Sequence, residues 1–233
     1  MFAEHTYKQF DADLEAVRAR VLEMGGLVED QVNKAIEALV NQNVKLAEEV
    51  IANDVLVNAL EVSSDEACTQ IIALRQPTAS DLRMILTIIK TITDLERIGD
   101  EATKIARFTV KVVDGDRISI PRYSEIKYMA DLAVKMLRTS LDSFARVDAS
   151  SAANVARQDR EVDEEFQLIA RHLITYMMED PRNISLFIEL MFVIKAIERI
   201  GDHAKNVSEY VVYMVKGKDV RHTSLEQLEK EIG

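Results

Sequence analysis

The chain has 233 residues and a formal net charge of -11, with 48% hydrophobic residues but only seven Gly, three Pro and no Trp. That length can bury one large core or two small ones, and so few turn residues favour long helices over a turn-rich β fold. The acid excess argues against general nucleic-acid binding, which needs clustered Lys and Arg, and suits a soluble cytoplasmic protein or a cation ligand.

Met1 to Arg20 alternates charged and apolar residues and lacks the apolar centre of a signal peptide. From Leu14 the apolar positions Val17, Val21, Met24, Val28, Val32, Ala35, Ile36 and Leu39 follow three- and four-residue steps and predict a first helix. Asn41-Gln42-Asn43 breaks it, with Asn43 placed to cap a second helix that carries Leu46, Val50, Val57, Leu60, Ile71 and Leu74 and stops at Pro77. Cys68, on that helix, is the only cysteine, so no internal disulfide can form and a reducing compartment is expected. Thr78 or Ser80 can cap a third helix running through Ile85, Ile89 and Ile92 to about Lys111. Asp114-Gly115-Asp116 through Pro121 reads as a linker.

Beyond the linker the pattern restarts. Met129, Leu132, Leu137, Leu141 and Phe144 mirror Met24, Leu27, Val32, Ile36 and Leu39 at an offset of 105, and Asp148 falls where Asn43 did. The expected fold is all-α, with six long helices forming two tandem antiparallel three-helix bundles related by internal duplication. Its parts are a first bundle at 1–113, a linker at 114–121, a second bundle at 122–217 and a polar C-terminal tail at 218–233. The tail carries a short amphipathic stretch, Leu225, Leu228 and Ile232, which fits a final half-helix or an ordered arm. The most apolar stretch, Leu186 to Ile197, is broken by Glu189 and Lys195 and is too short to span a bilayer, so membranes are expected to be reached only through partners.

Each third helix contains Glu-Arg-Ile-Gly-Asp, at Glu96–Asp100 and Glu198–Asp202, where the offset has dropped to 102. A helix brings Glu96 and Asp100, and Glu198 and Asp202, onto one face, at a cost of roughly 0.2–0.5 kcal/mol for like charges. Gly99 and Gly201 each cost about 1 kcal/mol more relative to Ala. Stepping back from Glu96 reaches Ile92, Ile89 and Ile85, and from Glu198 it reaches Ile194, Met191 and Phe187, so the acids are expected to continue the apolar stripe.

Two explanations fit. Arg97 and Arg199 can neutralise the acids while the glycines let helices approach closely. Alternatively each bundle holds an all-oxygen cation site of Glu96 and Asp100 or Glu198 and Asp202, with Glu61, Asp65, Asp159 and Asp163 as further candidates. Magnesium, manganese, iron and zinc are the candidate divalent ions, and no cofactor is required. A di-iron bundle enzyme would place a histidine three residues after each Glu, where Gly99 and Gly201 stand, and His5, His172, His203 and His222 form no ligand spacing. No phosphate-cradling loop, nucleophile elbow or paired-cysteine motif is present in the sequence. Arg75 and Arg83 around Pro77 could meet an anion, and the nine Met lie mostly at core spacing.

The duplicated pentapeptide with its following Ala102 and Ala204, the block Arg75-Gln76-Pro77-Thr78-Ala79-Ser80-Asp81-Leu82-Arg83, Met24-Gly25-Gly26, Tyr176–Asp180 and Val215-Lys216-Gly217 together resemble the PhoU family over essentially the whole chain. The resemblance implies two tandem three-helix bundles, commonly a homodimer, and no enzymatic activity. It implies a negative regulator of the phosphate-starvation response that limits phosphate uptake. Its partners would be the ATPase subunit PstB of the phosphate ABC transporter and the sensor kinase PhoR, acting on the regulator PhoB. The family's metal-binding motif maps onto Glu96, Asp100, Glu198 and Asp202. This sequence departs from the acidic pattern at Asn58 and Phe166, so each site lacks one expected carboxylate. The competing classes are a carboxylate-metal enzyme or store, and a passive helical scaffold.

Overall fold

Apolar side chains at three- and four-residue steps form helices because one face can then be withdrawn from water. The computed structural model describes residues 8–114, 123–221 and 223–232, and its regular structure is helical throughout. In chain order α1 spans Lys8–Asn41, α2 Val44–Arg75, α3 Ala79–Asp114, α4 Tyr123–Arg146, α5 Ala152–Glu179, α6 Ile184–Lys216 and α7 Leu225–Ile232. A 3-10 turn, Pro181–Asn183, leads into α6. Of the expected linker only Asp114 is described, as the last residue of α3. His5 and His222 also lie outside the described residues.

The described residues hold seven α-helices, not six, because the tail folds onto the body. Val220 and Leu228 are buried with Val212 of α6, with Ala152 at the start of α5 and with Ala149 in the connection before it. Ion pairs Arg157–Glu229 and Lys218–Glu231 flank that contact. The turn into this arm is made by Gly217, left-handed at φ 72°, whose N–H donates to the Tyr213 carbonyl at 2.9 Å.

Helix ends show the repeat at atomic detail. Gln42 and Val147 are both left-handed, at φ 51° and 55°. The next N–H groups along the chain, of Asn43 and Asp148, donate back to the carbonyls of Ala38 and Ser143 at 2.9 and 3.0 Å. These are the same Schellman-type closure, 105 residues apart. From there the two connections diverge. The Asn43 side chain accepts from the Leu46 N–H at 3.2 Å and caps α2, as its position suggested. Asp148 instead accepts from the Ser150 N–H and hydroxyl at 2.9 and 2.7 Å, and α5 starts only at Ala152. The second connection is longer because its carboxylate closes a turn instead of capping.

Helices α1, α2 and α3 pack on one another, as do α4, α5 and α6. The two groups meet where α3 lies along α6 and α1 touches α4. A Cβ at residue 25 would stand 2.7 Å from Leu141 Cδ2, so Gly25 is what lets α1 and α4 approach so closely. One apolar core runs through both groups, filled by Met24, Ile85, Leu95, Met129, Met136 and Ile194 among others. Met178 departs from the expected core spacing and is 78% exposed. Among the described residues no helix is long and apolar enough to cross a membrane.

Candidate functional site

The two pentapeptides lie near the middles of α3 and α6, the helices that join the two groups. Their carboxylates sit at the edge of the apolar stripe, not within it. Ile85, Ile92, Phe187 and Ile194 are buried, Glu96 and Glu198 are half-buried, and Asp100 and Asp202 are exposed. A Cβ at residue 99 would lie 3.1 Å from Gln31 Oε1 and 3.4 Å from Asp54 Oδ1, so this glycine draws α1 and α2 onto α3. At Gly201 the same atom would make only ordinary contacts, with Met136 Sδ at 3.5 Å and Val162 Cγ1 at 3.6 Å.

The sequence-expected acids do assemble into two clusters. In the first, Glu61 of α2 and Glu96 of α3 are both pushed above the usual carboxylate range. Burial is the main cause at each. Asp65 and Asp100 then add repulsion at Glu61, and Asp100, Glu61 and Asp54 at Glu96. In the second, Asp163 of α5 is raised by burial and then by Asp159 and Glu198. Asp202 is pushed up to about 6 although its side chain reaches solvent: the protein packed around its carboxyl partly desolvates it, and Glu198, Asp159 and Asp163 then add repulsion. As the side chains stand, no three such groups among the described residues converge tightly enough to hold a metal ion.

The clusters are not equivalent. Lys205 Nζ donates to Asp159 Oδ2 at 2.6 Å, so the second cluster contains its own ammonium. Burial works against that charge, but the Asp159 bond holds the Lys205 pKa above its ordinary value. At the offset of 102 its counterpart is Thr103, a buried residue whose hydroxyl has no partner among the described residues. Asp54, the counterpart of Asp159, is left with Oδ1 buried and likewise unpartnered. The two departures from the acidic pattern also have occupants. Asn58 Nδ2 donates to Asp54 Oδ2 at 3.3 Å, and the Phe166 ring lies 5.4 Å from Lys195 Nζ, which also pairs with Glu198.

The arginines do not both neutralise their own motif. Arg97 is exposed and lowers Glu61 and Glu96 only against larger opposing effects. Arg199 turns to the other group of helices, its Nε 3.2 Å from Glu101 Oε1, an oxygen that also receives Lys104 Nζ at 2.9 Å. Arg75 meets Asp13 Oδ2 at 3.2 Å, while the Arg83 guanidinium lies against Gly217, so these two do not converge on an anion. Sequence spacing missed a buried polar seam between α3 and α6. His203 Nδ1 lies 2.6 Å from Asp94 Oδ1, which also accepts from Asn206 Nδ2 at 3.3 Å. Asp94 raises the Tyr210 phenol as well, after burial. Both partners flank the pentapeptides, yet no short-range signal pairs residues 109 positions apart.

The PhoU domain family matches residues 21–109 and 126–211, so its pattern is written twice here. The chain belongs to the PhoU family. The two matches begin 105 residues apart and end 102 apart, the same offsets as in the apolar pattern and at the pentapeptides. A PhoU homolog of Pseudomonas putida, named a phosphate-specific transport system accessory protein, is 48% identical over 229 residues, covering 98% of this chain and 89% of that one. The accessory protein PhoU of Escherichia coli K12 is 45% identical over 227 residues, 97% of this chain and 93% of its own. The crystal structure of PhoU from Pseudomonas aeruginosa matches with a TM-score of 0.86 at 47% identity, covering 90% of this chain and all of that one. PhoU from Streptococcus pneumoniae, described as a phosphate transport system regulatory protein, gives 0.83 at 28% identity, with 91% and 99% covered.

Proposed function

We propose that this PhoU-family chain is a cytoplasmic, non-enzymatic negative regulator of the phosphate-starvation response and a brake on phosphate uptake. It would couple the ATPase subunit PstB of a phosphate ABC transporter to the sensor kinase PhoR, and through it to PhoB. The observation that carries this is near full-length identity of 45–48% to proteins named for the phosphate-specific transport system. The frame for the proposal is two tandem antiparallel three-helix bundles at 1–113 and 122–217, working as a homodimer. Control by such an adaptor is differential binding: a signal shifts which transporter or kinase state it prefers. The test deletes the gene and follows alkaline phosphatase in high phosphate, with pull-down of PstB and PhoR by the purified chain. Continued repression in the deletion strain, or capture of neither partner, sinks the reading.

A second reading concerns cations. The all-oxygen set Glu96 and Asp100 with Glu61 and Asp54 fits a hard divalent ion such as magnesium or manganese in donor chemistry. The unpartnered Asp54 Oδ1 and the mutual repulsion of Glu61 and Glu96 favour it. Glu198, Asp202 and Asp163 form the counterpart, where Lys205 already supplies positive charge. When bound, the ion would neutralise the acids and tie α2 to α3; it performs no chemistry in this reading. Elemental analysis and calorimetric titration with magnesium and manganese test it, against Glu96→Gln and Glu198→Gln.

A further inference from the structure

We propose that the groove between α3 and α6 is a docking site for an acidic amphipathic helix of a protein partner. The groove has a volume of about 470 Å³. Phe108, Val193 and Ala196 form its apolar floor, and Phe192 stands beside them 70% exposed. Phe192 continues a stripe with Ile188 and Ile184, 44% and 39% exposed, at four-residue steps along α6. A stripe of that period is the pattern a helix presents to another helix, and here none of the described elements covers it.

Charge identifies the occupant. Lys104, Arg107 and Lys111 lie at three- and four-residue steps along α3, and Lys195 and Arg199 at a four-residue step along α6. These two basic rails are opposed within the groove only by Glu101 and Glu189. Glu101 is shared by Lys104 and Arg199, Glu189 is held by Lys111, Lys195 pairs with Glu198 beside the groove, and Arg107 has no carboxylate partner among the described residues. In a chain of net charge -11, a local excess of cations around an apolar floor selects for negative charge flanking apolar side chains. A helix with Leu or Phe on one face and Asp or Glu along both edges meets both demands. An anionic bilayer fits less well, since the rest of the chain repels it and the floor is concave. Nucleic acid fits poorly because its phosphates leave the apolar floor without a counterpart.

The proposal deepens the adaptor reading and rests on it, while its test is independent of phosphate physiology. The probe is a fluorescent peptide of about 18 residues, long enough to form a helix on binding, with Leu at helical spacing and Glu on the flanks. Anisotropy with the full chain is measured beside a scrambled peptide of the same composition. Saturable binding is expected for the patterned peptide only, weakened about 10-fold or more by Phe192→Ala and by Lys104→Glu/Arg107→Glu. These substitutions are at exposed positions, and unchanged circular dichroism shows that they leave the fold intact. Equal binding of the scrambled peptide, or none of either, overturns the proposal. So does Phe192-dependent binding to phosphatidylserine vesicles, which assigns the groove to lipid. Phe192-dependent self-association in sedimentation velocity overturns it in favour of a second copy.

Discussion

His203 Nδ1 and Asp94 Oδ1 stand 2.6 Å apart in the buried seam between α6 and α3, each flanking the pentapeptide of its own helix. Removing one partner of such a pair strands the other away from water. Asp94→Leu should therefore cost about 3 kcal/mol, measured as a lower urea midpoint, and Asp94→Leu/His203→Leu should cost less than the single change. A loss in the double variant equal to the sum of the Asp94→Leu and His203→Leu losses would show that the two groups do not act as a pair.

The adjacent glycines of α1 should respond in opposite directions. Residue 26 faces open space, so Gly26→Ala should raise stability by about 1 kcal/mol through helix propensity alone. Residue 25 is closed off by Leu141, so Gly25→Val should lower it by roughly 1–3 kcal/mol through overpacking. Thermal melts of both variants check the contrast.

Half-buried Glu209 is pushed up to about 7 and the solvent-edge Asp202 to about 6, in each case by loss of hydration first. A carboxyl whose folded pKa lies above its unfolded value binds its proton more tightly when folded. Its contribution to stability therefore falls as pH rises through roughly 4 to 7 and is fully unfavourable above that window. The melting temperature should be higher at pH 5 than at pH 8, and Asp202→Asn/Glu209→Gln should flatten the difference. Asp219, held down to about 2 by its Arg221 bond, acts in the opposite sense but only in more acidic solution.

The ammonium of Lys205 gives a direct test of cation binding. Magnesium or manganese at about 100 times its dissociation constant should stabilise the chain by about 2.7 kcal/mol. Glu61→Gln/Glu96→Gln should abolish most of that gain. Lys205→Met leaves Asp159, Asp163 and Asp202 without their ammonium and should add a second binding event in calorimetry. A single unchanged isotherm in Lys205→Met would show that the second cluster does not take a cation.

The helices were legible because α1 to α6 each repeat apolar residues at the helical period, and the duplication because its landmarks recur at fixed offsets. The helix-to-strand choice needed no long-range information. The tail was harder: Leu225 and Leu228 marked an amphipathic turn, but its docking surface comes from Val212 of α6, Ala152 of α5 and Ala149 in the connection before α5. The acids of the clusters were visible from their i,i+4 spacing. Their difference was not, because Lys205 reaches Asp159 across 46 residues and Thr103 gives no hint that an ammonium is missing there. Arg199 misled for the same reason, since its carboxylate, Glu101, belongs to the other half of the chain.

The seam between α3 and α6 also bears on how the chain folds. Its polar contacts join residues 78 to 123 positions apart, from Lys111–Glu189 to the Thr87 hydroxyl on the Tyr210 carbonyl. Loop closure on that scale delays the seam until α3 and α6 have each formed. Until then α3 would present a long apolar face to every other chain in solution. Asp94 and Glu101 interrupt that face with charges that water solvates readily, and they are withdrawn only when His203 and Arg199 arrive. The residues that fix the register of the finished seam thus also protect the unfinished one from aggregation.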